Sequence, residues 1–302
     1  MSEFLTAVVV GLGSGSIYAL VALGFVIIYK SMGVISFAQP AFLLSGAVLV
    51  SLLSPSIGFW GALAVGVVGI AVLALGVERV AIRPMVGKAV FVIAIITIGI
   101  DIVVRTVAGA FLGVNPRYVG DPWGLGSWTV GGVVIQHRHV AALATAAVVM
   151  LALFLFFRFT PIGLAMRAAS LDQEAAMAQG VNVGTVFAVS WALAGGLAAL
   201  AGVFAATGEP ISNTLWIVAL VALPVIILGG LDSLGGAVLG GFIIGIAQAL
   251  VSTYHRDLFS GDVAFLPELT NNLGPVTPFI VMFLVLMVRP YGLFGTKEVE
   301  RV

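Results

Sequence analysis

The chain has 302 residues, 61% of them hydrophobic and 9% charged, with a mean hydropathy of +1.21; an average soluble domain carries about 25% charged residues, so this is the composition of an integral membrane protein. Its 13 basic and 13 acidic side chains cancel, leaving no single-sign field of the kind that attracts nucleic acid. Cysteine is absent, which excludes disulfides, thiolate catalysis and zinc–cysteine sites.

Crossing a hydrocarbon core ~30 Å thick takes about 20 mostly apolar residues at ~1.5 Å each. Apolar blocks of that kind predict an all-α, polytopic transmembrane bundle forming one domain over residues 1–302, with eight or nine spans. They lie near residues 6–29, 34–53, 58–77, 89–111, 139–157, 184–207, 214–230, 235–252 and 274–288. The first lacks the positive flank of a cleavable signal peptide and is expected to be retained. Its GLGSGS run (11–16) imitates a nucleotide loop, but no strand precedes it, and small residues that let two helices approach are the better reading. The second block holds Ser36, Gln39, Pro40 and Ser45. Pro40 has no backbone N–H to give, which predicts a broken or partly re-entrant helix lining a cavity.

The fourth block contains Asp101 and Arg105, four apart and so on one helical face. Charges at membrane depth point to function unless they neutralise each other; the pair either anchors its helix or lines a pathway. Residues 112–138, with Tyr118, Trp123 and Trp128, read as an interfacial loop or short hairpin. Residues 253–273 carry Asp257, Asp262 and Glu268 and are either a solvated loop or a contact for a soluble partner.

Between the fifth and sixth blocks stands RAASLDQEAAMAQGVNV (167–183), a polar stretch in an apolar chain. Ser170 with Gln173 three residues later forms a capping box. Asp172 and Glu174 favour the positive end of a helix dipole, and Gly180 suits the left-handed residue that ends one. A short helix is therefore expected over 171–179. Leu171, Ala175 and Ala178 would face the bundle while the opposite side is offered to a cytoplasmic protein.

With that stretch inside, nine spans put the N-terminus outside and the C-terminus in the cytoplasm. Lys30, Arg79, Arg83, Lys88, Arg158, Arg167, Arg289, Lys297 and Arg301 then fall inside, and only Arg117, Arg138 and Arg256 outside, the bias expected of cytoplasmic loops.

No G-x-x-x-x-G-K-[ST] motif occurs, so the chain does not cradle nucleotide phosphates itself. His137, His139 and His255 fall at outer loop positions, and a metal site is not expected from them. No catalytic set assembles, and no unpaired acid suits ion-driven transport. A passive channel for a small neutral solute, lined by backbone and small polar groups, stays open, as does a scaffold that only recruits a cytoplasmic partner. Ser14, Ser16, Tyr18, Ser36 and Gln39 are the candidates for lining a path, with helix packing as the alternative for the serines.

RAASLDQEAAMAQGVNVGTVFAVSWALAGGLAALAGVF resembles the cytoplasmic loop and following helix of permeases of the branched-chain amino acid ABC importer family. GLGSGSIYALVALGFVIIYK, ILGGLDSLGGAVLGGFIIG and VRPYGLFG resemble that family's other motifs in the same order, and the length resembles its shorter, H-type permease subunit. The resemblance implies an importer subunit, not an enzyme, driven by ATP and Mg on separate ATPase subunits, with no cofactor of its own. It implies a bacterial inner-membrane assembly of this chain, a second (M-type) permease, two ABC ATPases and an extracytoplasmic binding protein. It assigns ATPase coupling to Leu171, Glu174, Ala175, Ala176, Gln179 and Gly180, with Arg167 and Asp172 beside them. Branched-chain amino acids are the family's usual cargo; urea, short amides and aromatic acids are carried by relatives. Two departures stand out. Ser36, Phe37, Ala38, Gln39 and Pro40 replace the usual Asn-Phe-Ala-His-Gly, and Asp232 takes a position more often glycine, as either an ATPase contact or a solvated turn residue.

Overall fold

A computed structural model describes residues 1–113, 115–258 and 273–295. Asp262, Glu268, Lys297 and Arg301, and the side chains of His255, Arg256 and Asp257, lie outside the described residues, so the expectations attached to them do too.

Two helices form the centre: α1 (Ser2–Met32) and α7 (Val183–Ala205). Each has 78% of its apolar window buried, against 17% for α3 (Val90–Ala110) and α4 (His137–Phe159). A helix apolar on every side must be surrounded. Accordingly α1 packs against α4, α7, α8 (Ile217–Gly229) and α9 (Leu234–Leu258), while α7 packs against α2 (Gln39–Val77). The outer helices expose apolar side chains instead: Phe91, Ile95 and Val103 on α3, Leu151 and Phe154 on α4, and Phe283 and Met287 on α10 (Thr277–Val288). Such a surface suits lipid, where a helix satisfies its own backbone. Six helices among the described residues are long and apolar enough to cross a membrane, while α8 and α10 are shorter.

The 39 residues of α2 would make a straight rod of ~58 Å, about twice the hydrocarbon core. The helix breaks at Gly58 (φ 73, ψ 165), a conformation essentially restricted to glycine. Beyond the break Gly66 lies on Val50 and Gly69 on Leu49, so the two halves run back to back as a hairpin. The first half begins at Gln39, five residues later than the expected start at 34, because residues 33–38 are not helical. At the other end Glu78, fully buried, pairs with Arg83 at 2.9 Å, and Arg83 also donates to the carbonyl of Gly184 at 2.7 Å, tying the end of the hairpin to the start of α7.

Glycines set the closest approaches. Gly11 and Gly15 of α1 lie against Gly245 and Gly241 of α9, the small-residue contact expected of GLGSGS. The 112–138 segment ends in a two-stranded hairpin, β1 (Ser127–Val130) and β2 (Val133–Gln136), pairing Ser127 with Gln136. Trp123 stacks on Phe204 and meets Phe59 and Trp60 edge-on, a cluster of the kind that sits at a membrane interface.

Candidate functional sites

The polar stretch folds as two short helices. Pro161 opens α5 (Pro161–Leu171), with Thr160 Oγ1 accepting the Gly163 amide at 2.9 Å. Met166 and Ala169 are buried beneath it. At Asp172 the backbone becomes extended (φ −156, ψ 111), and its Oδ1 accepts the Ala175 amide at 2.9 Å to open α6 (Gln173–Ala178). Gly180 closes the segment at φ 84.

Ser170 is not a cap: it lies in the last turn of α5, and its hydroxyl donates to the Arg167 carbonyl at 2.8 Å. Leu171 ends α5 rather than opening the next helix, and is 89% exposed. The inward face of α6 is not Leu171, Ala175 and Ala178, all exposed, but Gln173 and Ala176. The cause is the competition between caps: Thr160 and Pro161 start α5 firmly, alanines carry it past Ser170, and Asp172 is the next residue able to cap. Gln173 Nε2 donates to the carbonyl of Ser31 at the end of α1, at 2.9 Å. Arg167, Leu171, Asp172, Glu174, Ala175, Gln179 and Gly180 are exposed together, and Ala176 alone of the expected coupling residues packs inward.

A second site is a groove of about 580 Å³ along the seam of α1 and α9, lined by Glu3, Thr6, Ser14, Tyr18 and Gln248 among others. The β-hairpin borders it, with the Val134 amide donating to Thr6 Oγ1 at 3.2 Å. Near the middle of α1 the Tyr18 hydroxyl donates to Gln248 Oε1 at 2.7 Å. Of the five path candidates, Ser14 and Tyr18 line this groove; the other three do not. Ser16 is buried and its hydroxyl returns to the Leu12 carbonyl at 2.7 Å. Ser36 Oγ accepts the Ala38 amide at 3.4 Å. Gln39 is fully buried beside Gly24, with neither amide atom hydrogen-bonded among the described residues. Gln248 was missed; the signal was a polar side chain in the otherwise apolar GGFIIGIAQALV.

The non-helical entry to α2 is held by α3. The Phe37 amide donates to Thr97 Oγ1 at 3.0 Å, and one turn on Asp101 lies beside the amide of Ala41. Asp101 pairs with Arg105 at 3.0 Å, whose guanidinium sits 4.1 Å over the Trp216 ring. The carboxylate thus meets the amide-rich start of α2, where an anion is favoured. His137 and His139, expected in an outer loop, open α4 instead. One ring lies against Trp128 at 4.4 Å between centroids, and the other fits against Gly13. On the face carrying the end of α1, Leu293 and Phe294 donate to the carbonyls of Leu228 and Gly229 at 2.8 and 3.1 Å, joining the GGLDSLGG turn to the RPYGLFG segment. Lys30 donates to the Asp232 carbonyl there at 3.0 Å.

One solved chain, from PsaBC of Streptococcus pneumoniae in complex with Fab, aligns at 15% identity and a TM-score of 0.44 over 94% of this chain and 90% of that one, too distant to carry an argument. Whole-length relatives are far more similar in sequence. The high-affinity branched-chain amino acid transport system permease protein LivH of Escherichia coli K12 is 30% identical, and LivH of Salmonella typhimurium LT2 is 29% identical; each alignment covers 99% of this chain and 98% of the relative. BraD of Pseudomonas aeruginosa is 27% identical at the same coverage. The family model for the permease component of branched-chain amino acid transport systems matches residues 7–286, which takes in the groove beyond Thr6, the hairpin and both short helices: the chain belongs to that permease family.

Proposed function

We propose that the chain is the permease subunit of an ATP-driven importer that carries branched-chain amino acids, or a small polar solute of similar size, inward across the bacterial inner membrane. It works with an M-type permease, two ABC ATPases and an extracytoplasmic binding protein. The observation that carries this reading is the capped α6 with its exposed Glu174, Ala175, Gln179 and Gly180, a rigid projection on an otherwise membrane-embedded bundle. A capped helix passes on a displacement that a loop would absorb. ATP and Mg belong to the ATPases, which dock on that projection.

The hairpin shape of α2 supports counting it as two crossings, which with α8 and α10 gives nine. The N-terminus is then outside, with α6 and the C-terminus in the cytoplasm, in line with the positions of Lys30, Arg79, Arg83, Lys88, Arg158, Arg167 and Arg289. The groove between α1 and α9 is this subunit's half of the solute path. Ser14, Tyr18 and Gln248 form its wall, while Ser16, Ser36 and Gln39 do not line it.

Gentle purification of the chain followed by identification of what accompanies it tests the reading. An ABC ATPase and a sister permease are expected, with leucine uptake into proteoliposomes that requires ATP. Uptake without ATP, unaffected by deletion of residues 173–178, would establish a passive channel instead.

A further inference from the structure

Helix α1 reaches both sites. Its first half lines the groove with Thr6, Ser14 and Tyr18, and its last turn lies under α5 and α6. The last carbonyls of any helix lack intrahelical partners. In α1 the Tyr29 carbonyl is taken by the Gly33 amide at 2.7 Å, and the Ser31 carbonyl by Gln173 Nε2 at 2.9 Å. Only two residues of α6 turn inward: Ala176 supplies a methyl group, and Gln173 supplies this bond. α6 also packs on α5, which itself lies against α1 at Met166 and Arg167, and the chain runs on through the Asn182 cap into α7; the Gln173 bond is the direct polar link from α6 to α1.

From Ser31 to Tyr18 α1 is one uninterrupted helix without proline, a rod of ~20 Å at ~1.5 Å per residue. It is buried from Ala19 to Ile28, so a push at its end is carried along the axis. The seam it shares with α9 is built of glycine against glycine at 11, 15, 241 and 245. At those four positions backbone meets backbone with no side chain between, so the side-chain tie across the seam is the Tyr18–Gln248 hydrogen bond, one bond that an axial shift of α1 can remake. Sliding moves the Tyr18 hydroxyl relative to Gln248 and alters the groove.

We infer that Gln173 is the positioning residue that makes α1 follow α6, so that nucleotide-driven movement of the short helix displaces the groove wall bearing Ser14 and Tyr18. The inference rests on the reading of α6 as the ATPase-facing element. It needs no contact between Gln173 and solute or nucleotide.

The test uses the whole transporter in proteoliposomes, with labelled leucine as the probe, and records uptake and ATP hydrolysis together. Gln173→Met keeps the side chain's length and removes the donor; Gln173→Lys keeps a donor. With Gln173→Met, ATP hydrolysis continues while leucine moved per ATP falls at least about fivefold, the lower range of energetic coupling between sites. Gln173→Lys restores most of it. Equal coupling in Gln173→Met and wild type overturns the inference, as does a failure of Gln173→Lys as deep as that of Gln173→Met in an assembled complex. A wild-type complex that moves leucine without ATP overturns the functional reading instead, and this inference with it. If Gln173→Met does not assemble, spin labels on Phe4→Cys of α1 and Leu239→Cys of α9, both exposed positions in a cysteine-free chain, give the answer in the wild-type background. Their separation changes when nucleotide binds if α1 slides, and a constant separation overturns the inference.

Discussion

Gln39 is fully buried with both ends of its amide unbonded among the described residues. An unsatisfied polar group in a packed interior costs about 1–3 kcal/mol, and removing it with a side chain of the same shape recovers that cost. Gln39→Met is therefore expected to raise the thermal unfolding temperature in detergent; a lower one would mean that the amide has a partner in the folded protein. Asp101 differs in that one carboxylate oxygen pairs with Arg105 at 3.0 Å, while the other has no hydrogen bond among the described residues. Arg105→Gln strands the carboxylate, a loss of about 3–5 kcal/mol for a buried pair. The double substitution Asp101→Asn with Arg105→Gln should cost clearly less, and a double-mutant cycle on unfolding free energies reads the difference. Four-residue spacing was enough to read that pair from the sequence. Its third partner was hidden, since nothing local links Asp101 to the start of α2 sixty residues earlier. Only tertiary packing sets the carboxylate beside the Ala41 amide.

At the scale of elements, hydropathy places the helices well because a membrane constrains length and composition so strongly. The blocks read at 184–207 and 89–111 became α7 (Val183–Ala205) and α3 (Val90–Ala110). Contrary to expectation, Pro40 does not break a helix: it sits in the first turn of α2, where its missing N–H costs nothing. The gap between the blocks read at 34–53 and 58–77 falls at the turn of α2, though that Gly58 makes it shows only in its positive φ. The start of α6 was misread by two residues where Ser170 and Asp172 compete as caps, a contest decided by how far α5 persists. The exposed side of α6 was legible as chemistry, but its inward side depended on that register. For α1 and α9, GLGSGS indicated close packing without naming the partner. A Cβ at Gly245 would run into the backbone of Gly11 and Gly15. Gly245→Val is therefore expected to destabilise the bundle by about 1–3 kcal/mol, the usual range for overpacking, whereas Gly76→Ala, with open space around it, should be nearly neutral. Equal unfolding temperatures for the two variants would show that the seam is loose.

On the scale of the whole molecule, the arrangement is a buried pair of helices, α1 and α7, enclosed by helices whose outer faces are apolar. The groove on α1 and α9 breaks that pattern, since Glu3, Thr6, Ser14, Tyr18 and Gln248 set polar groups among its apolar lining that lipid would not solvate. In the assembled transporter such a face meets water or a partner. The cysteine-free chain allows a direct measurement, with single cysteines placed along α1 and treated from the outer side of cells with a membrane-impermeant thiol reagent. Labelling depends on access of water and reagent to the thiol. Thr6→Cys and Ser14→Cys should react at least about tenfold faster than Ser16→Cys, whose position two residues along the same helix is buried against its own backbone carbonyl. Because Ser14 and Ser16 are neighbours in depth, a difference between them reports the groove rather than distance from the membrane surface. ATP trapped inside right-side-out vesicles should change the rate at position 14 and leave position 16 slow. If both positions stay unreactive in every nucleotide state, solute passes elsewhere, and the groove is a seat for a partner helix instead of a wall of the path.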